Sequence, residues 1–123
     1  MKFELKRKID NLGRIVIPID LRNYYGMTQG DTLIILPVRD GIQIAKSEYF
    51  IMEELTDVEA IVTIDSLGRV IIPSAFRNQY HFKPQDILSI VPHETCMMIY
   101  KKKNEVPDLN AEMFVEVNEF VSA

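Results

Sequence analysis

Shifted by 55 residues, the sequence falls on itself. Ile9–Lys46 aligns with Ile64–Lys101 without a gap, and sixteen of the 38 positions are identical. The densest match sets Ile9-Asp-Asn-Leu-Gly-Arg-Ile-Val-Ile-Pro18 against Ile64-Asp-Ser-Leu-Gly-Arg-Val-Ile-Ile-Pro73. Further on, Arg22-Asn23, Tyr25 and Asp31 meet Arg77-Asn78, Tyr80 and Asp86. Self-similarity of this kind marks a duplication. Each copy has about 45 residues, a size at which one hydrophobic core rarely suffices without staples or a partner. The chain has one cysteine, Cys96, and therefore no internal disulfide. Two copies that cannot stand alone, joined in one chain, are expected to pack on each other as one pseudo-symmetric unit.

Each copy reads as four short strands and one short helix, so the expected fold class is mostly β with short helices. Phe3–Ile9 alternates in the period of a half-buried strand. Asp10-Asn-Leu-Gly13 puts Asp first and Gly fourth, which is turn chemistry. Ile15–Ile17 is a β-branched run and a second strand. Pro18 suits the start of a helix. On that helix Leu21 and Tyr25 share a face, as do Phe76 and Tyr80 in the second copy. Gly26 suits the end of the first helix, and His81 holds that place in the second. Thr32–Leu36, an Arg39-Asp40-Gly41 turn and Ile42–Ala45 complete the first copy; Ile87–Val91 and Met97–Tyr100 complete the second. The expected organisation is residues 1–46 as a first half-domain, 47–60 as an acidic helical linker, 61–103 as a second half-domain and 104–123 as an acidic tail.

The formal net charge of −4 argues against nucleic acid only until it is mapped along the chain. Residues 1–46 hold eight Lys/Arg against five Asp/Glu, and residues 61–103 hold six against three. Residues 47–60 and 104–123 each hold five acids and no base. Two basic modules each precede an acidic segment, and it is the local cluster that decides electrostatic partners. No apolar run approaches the roughly 20 residues of a membrane span, and the first residues lack the apolar stretch of a signal peptide. The expected setting is cytoplasmic, away from membranes.

The run Arg7-Lys-Ile-Asp-Asn-Leu-Gly-Arg-Ile-Val-Ile-Pro-Ile-Asp-Leu-Arg22 closely resembles the N-terminal DNA-binding segment of the AbrB/SpoVT-type regulators. The resemblance is strong over about the first 46 residues and nearly as good over residues 62–101. The tandem Asp-x-x-Gly-Arg turns also resemble those of the MraZ regulators. The resemblance implies a swapped-hairpin barrel formed by two interlocking half-domains, here supplied by one chain. It implies a nucleoid-associated transcription regulator and homo-oligomer that binds double-stranded DNA without catalysis or cofactor. It also implies the contacting residues: Arg7, Arg14 and Arg22 in the first copy, with Asn23 where the AbrB pattern has a further arginine, and Arg69 and Arg77 in the second, where Val62 replaces the counterpart of Arg7. Lys8 beside Arg7 and Asn78 at the place matching Asn23 complete the candidate set.

Each of these residues has a plainer reading as well. Arg14 and Arg69 can be surface residues paired with the turn aspartates, and Arg22 and Arg77 a solvated helix face. Lys2, Lys6 and Lys8 can blunt an edge strand. Recurrence of all four arginines at matched places favours a common role. His93 and Cys96 have the spacing of two metal ligands, but no second pair accompanies them, and Cys96-Met97-Met98 reads as a buried strand. No phosphate-binding loop, nucleophile elbow or metalloprotease helix occurs in the sequence. Asp10 and Asp65, related by the duplication, are a candidate proton-sharing pair of the acid-protease kind, although the glycine spacing is wrong for it. The competing function is a MazE-type antitoxin that binds DNA and holds a toxin through its acidic tail; a purely structural interaction module is a third.

Overall fold

The structure, a computed structural model, describes residues 4–49 and 60–102. Phe3, most of the acidic linker and the acidic tail invoked for a toxin lie outside the described residues. Within the linker, Ser47–Tyr49 forms a 3-10 turn. Ala60, which the sequence assigns to the linker, instead opens a strand.

The element order strand, strand, helix, strand, strand occurs twice. The first set is β1 (Leu5–Lys8), β2 (Arg14–Val16), α1 (Ile19–Tyr25), β3 (Thr32–Val38) and β4 (Gly41–Lys46). The second is β5 (Ala60–Thr63), β6 (Arg69–Ile71), α2 (Ser74–Gln79), β7 (Ile87–Pro92) and β8 (Met97–Tyr100). Several boundaries differ from the sequence expectation. The second strand begins at the turn arginine and stops before Ile17, whose N–H goes to the Gly68 carbonyl at 2.8 Å. Strand β3 runs on through Pro37 to Val38, which shortens the following turn to Arg39 and Asp40. Pro18 stands just before α1, and its carbonyl accepts the N–H groups of Leu21 and Arg22.

Strand pairing crosses between the copies. A six-stranded sheet runs β1-β7-β8-β4-β3-β5, and β2 and β6 form a separate two-stranded ribbon. Among the described residues β1 pairs only with β7, β5 only with β3, and β2 only with β6. Every leading strand therefore finds its partner in the opposite copy. Hydrogen bonding does not close the large sheet, because β1 and β5 remain its edges. Among the described residues no helix is long and apolar enough to cross a membrane.

One core lies beneath both sheets and draws on both copies: Ile9, Ile15, Ile17 and Leu33 pack with Ile64, Val70, Ile72 and Leu88. Burying one such side chain contributes about 1.5–3 kcal/mol, so neither copy retains its core without the other. Polar links run the same way. The Tyr25 hydroxyl reaches the His93 carbonyl at 2.6 Å, and the Tyr80 hydroxyl reaches the Val38 carbonyl at 2.8 Å. Each helix end is thus tied to the hairpin of the opposite copy. Burial pushes the Tyr25 phenol up to about 12, so it stays a donor. Within each copy, Lys46 donates to the Gly26 carbonyl at 3.0 Å, as Lys101 does to that of His81 at 2.9 Å.

Candidate nucleic-acid interface

The two Asp-x-x-Gly turns are built alike. Asp10 Oδ1 accepts the backbone N–H groups of Leu12 at 2.9 Å and Arg14 at 2.8 Å, while Oδ2 accepts Arg14 Nε at 2.7 Å. Asp65 repeats the pattern with Leu67, Arg69 and Arg69 Nε at 2.9, 2.8 and 2.7 Å. The backbone N–H of Arg14 holds the Asp10 carboxyl below the usual range, more than any other single contact, and Arg69 does the same for Asp65. Each carboxylate is ionised and closed within its own turn, which removes the proton-sharing reading of the pair. Arg14 and Arg69 do pair with the turn aspartates, but through Nε. Among the described residues no hydrogen bond engages their terminal Nη atoms.

The ribbon brings these two turns together. In its register Arg14 faces Ile71, Ile15 faces Val70 and Val16 faces Arg69. Strand side chains alternate, and Ile15 and Val70 point into the core, each 1% exposed. Arg14, Val16, Arg69 and Ile71 therefore share the outer face. The turn arginines, far apart in sequence, occupy diagonal corners of one short ribbon.

The helix arginines complete the corners in an arrangement the sequence does not reveal. Arg22 Nε donates to the Ile17 carbonyl at 2.9 Å, and Arg77 Nε to the Ile72 carbonyl at 2.8 Å. The Arg22 guanidinium then lies over Gly68, where an added Cβ would stand 2.5 Å from Cζ. Arg77 lies over Gly13, where the same distance would be 2.7 Å. Gly68 and Gly13 also adopt φ of +79° and +84°, in the left-handed region. The backbone conformation thus calls for glycine, and a side chain in its place would also push the guanidinium above it aside. Grouped by copy in the sequence, the arginines regroup in space: Arg77 sits by the Gly13-Arg14 turn, and Arg22 by the Gly68-Arg69 turn.

Asn23 and Asn78 follow these arginines on the exposed face of each helix, and among the described residues neither side chain makes a hydrogen bond. Arg7 and Lys8 do not form one patch. On β1, Leu5 and Arg7 are half-buried while Lys6 and Lys8 are exposed, so neighbours in sequence take opposite faces. Arg7 Nη1 donates to the Lys6 carbonyl at 2.7 Å. Val62, its counterpart, packs against the core. The backbone N–H of His93 donates to the Cys96 carbonyl at 2.8 Å, closing a hairpin turn. Burial pushes the Cys96 thiol up. Among the described residues no three metal-ligating side chains cluster.

Sequence reasoning missed two residues of this face. Leu12 and Leu67 stand at the turn tips, 64% and 62% exposed. A usable signal was present: both turns hold leucine there, although the preceding residue differs, Asn11 in one and Ser66 in the other.

No family model matches the chain. Among solved structures it is similar to the solution structure of PHS018 from Pyrococcus horikoshii, with a TM-score of 0.47 and 23% identity over 82% of this chain and 95% of that one. It is also similar to stage V sporulation protein T of Bacillus subtilis (strain 168), 41% identical over 69 residues. That match takes in 54% of this chain and 38% of the relative, so the chain spans well under half of that protein's length. This relative bears out the resemblance of the chain to the AbrB/SpoVT-type regulators.

Proposed function

We propose that the chain is a DNA-binding transcription regulator that lays the outer face of the β2–β6 ribbon in the major groove of a duplex. One observation carries this reading: four arginines from two copies converge on one ribbon, each anchored through Nε. Anchoring fixes each guanidinium plane in advance and reduces the ordering cost of about 0.5–1.5 kcal/mol per side chain on binding. The major groove, about 12 Å wide, admits a two-stranded ribbon. Arginine's fork grips phosphate, or the O6/N7 edge of guanine, with two hydrogen bonds. Asn23 and Asn78, beside Arg22 and Arg77, have the amide that pairs with adenine N6/N7. Lys8, exposed on β1, adds a phosphate contact from the flank, while Arg7 lies on the other face of that strand.

In this reading the crossed strand pairing is a swapped-hairpin arrangement of two tandem half-domains, residues 1–46 and 61–103, and the protein acts in the cytoplasm on the nucleoid as a homo-oligomer. The likeness to stage V sporulation protein T supports the regulator class. The test is selection of bound duplexes from a random pool, followed by titration of the winner at two salt concentrations. A narrow set of sequences is expected, with affinity falling steeply as salt rises. No duplex retained even at low salt would overturn the proposal.

A further inference from the structure

Leu12 and Leu67 have no account in the fold. Their turns are closed by Asp10 with Gly13 and by Asp65 with Gly68, through backbone and carboxylate bonds that need no particular residue between them. Exposed matched positions have otherwise drifted apart between the copies: Asn11 has become Ser66, Ile19 Ser74, Asp20 Ala75, Tyr24 Gln79 and Thr28 Lys83. Of the matched positions exposed in both copies, 12/67 and 23/78 alone hold the same residue. The buried identities follow from packing; these two do not.

A single exposed leucine is ordinary. Here two stand at matched tips beside Arg14 with Arg77 and Arg69 with Arg22, on a ribbon whose outer face also shows Val16 and Ile71. The nearest carboxylates, Asp10 and Asp65, are already neutralised by the turn arginines. Apolar tips set among guanidinium groups complement a polyanion that carries apolar groups in its groove. Duplex DNA is such a molecule, because the thymine C5-methyl projects into the major groove.

We infer that Leu12 and Leu67 are specificity contacts, apolar probes that meet thymine methyl groups while the arginines hold phosphate or guanine. The inference rests on the reading of the ribbon as the DNA interface and adds a base preference to it. The experiment uses the full chain and the duplex recovered from a random pool, beside the same duplex with every thymine replaced by deoxyuridine, which lacks the methyl. The wild-type chain is expected to bind the deoxyuridine duplex about fourfold more weakly per methyl contacted. Leu12→Gln with Leu67→Gln is expected to bind both duplexes alike, with an unchanged circular dichroism spectrum. A selected duplex without fixed thymines, a wild-type chain indifferent to the methyl, or a double variant that still discriminates overturns this inference alone, provided Arg14→Ala still weakens binding. Failure of the wild-type chain to bind any duplex overturns the interface reading with it.

Discussion

The guanidinium of Arg22 fills the space in which a side chain on Gly68 would begin, and the carbonyl that holds it belongs to Ile17, whose N–H bonds the Gly68 carbonyl. Three contacts thus close one junction between the copies. Ile72, Gly13 and Arg77 close the other in the same way. The fold and the candidate interface share these atoms, so a change at the glycine acts on both.

Gly68→Ala is expected to destabilise the chain by about 1–2 kcal/mol through its left-handed backbone alone. It also displaces Arg22 from Ile17 and weakens duplex binding. Urea unfolding and a binding titration of the same sample check both effects. Unchanged stability would contradict the junction.

Residues 1–49 alone are expected to give no stable monomer. Their β1 and β2 pair only with β7 and β6 in the described structure, so both lose their ladders and one side of the core. The fragment should unfold, aggregate or dimerise by borrowing strands from a second copy. A well-dispersed amide spectrum at monomer mass in light scattering would contradict the crossed pairing.

The second copy carries strain that the first avoids. His81 and Gln85 hold φ of 60° and 74°, where the first copy has Gly26 and Gly30 at 67° and 89°. His81→Gly is expected to stabilise by about 0.5–1 kcal/mol, the left-handed cost less the entropy of glycine. Gln85→Gly should gain less, since it gives up the hydrogen bond from its side chain to Asn11 at 2.9 Å. Thermal melts read this as a rise of a few degrees for His81→Gly; a fall would contradict it.

The order of elements is legible in the sequence because each signal is local. β-Branched runs, the Asp and Gly of the turns and the prolines before the helices act within a few residues. Which copy a strand pairs with is not legible, since alternation reports a buried face and not the partner behind it. The same limit hides the regrouped arginines: Arg22 and Gly68 are joined by tertiary packing that no spacing encodes. Tyr25 reads as an inward-facing helix residue, yet its hydroxyl partners are the His93 and Cys96 carbonyls, on the opposite hairpin. Leu12 escaped because an exposed apolar residue in a turn interrupts no periodicity. Arg7 and Lys8 are neighbours in sequence but take opposite faces of β1, because strand side chains alternate.

Acid should unfold the chain through its turn and loop aspartates. Asp10, Asp65, Asp31 and Asp86 are held below the usual carboxylate range, foremost by the backbone N–H groups of Arg14, Arg69, Thr28 and Lys83. A carboxyl depressed in the folded state adds stability above its unfolded value, about 3.9, and that stability is lost as pH falls through the folded value. The urea midpoint is expected to be level between about pH 7 and 5 and to drop below about pH 4. Asp10→Asn with Asp65→Asn should make the drop shallower. A midpoint that rises on acidification would contradict this.

In the proposed interface each corner is built from the turn of one copy and the helix of the other. A double-mutant cycle on duplex affinity tests it most directly, with anisotropy titrations of Arg14→Ala, Arg77→Ala, Arg22→Ala and the pairs Arg14/Arg77 and Arg14/Arg22, each checked for folding by circular dichroism. Every single variant is expected to cost about 1–3 kcal/mol if it reads a base, or a uniform loss with the salt slope reduced by about one if it holds phosphate. The cross-copy pair Arg14/Arg77 is expected to depart from additivity by at least about 0.5 kcal/mol, and the same-copy pair Arg14/Arg22 to add. Coupling confined to the same-copy pair, or folded variants that all bind as the wild type does, would contradict the account.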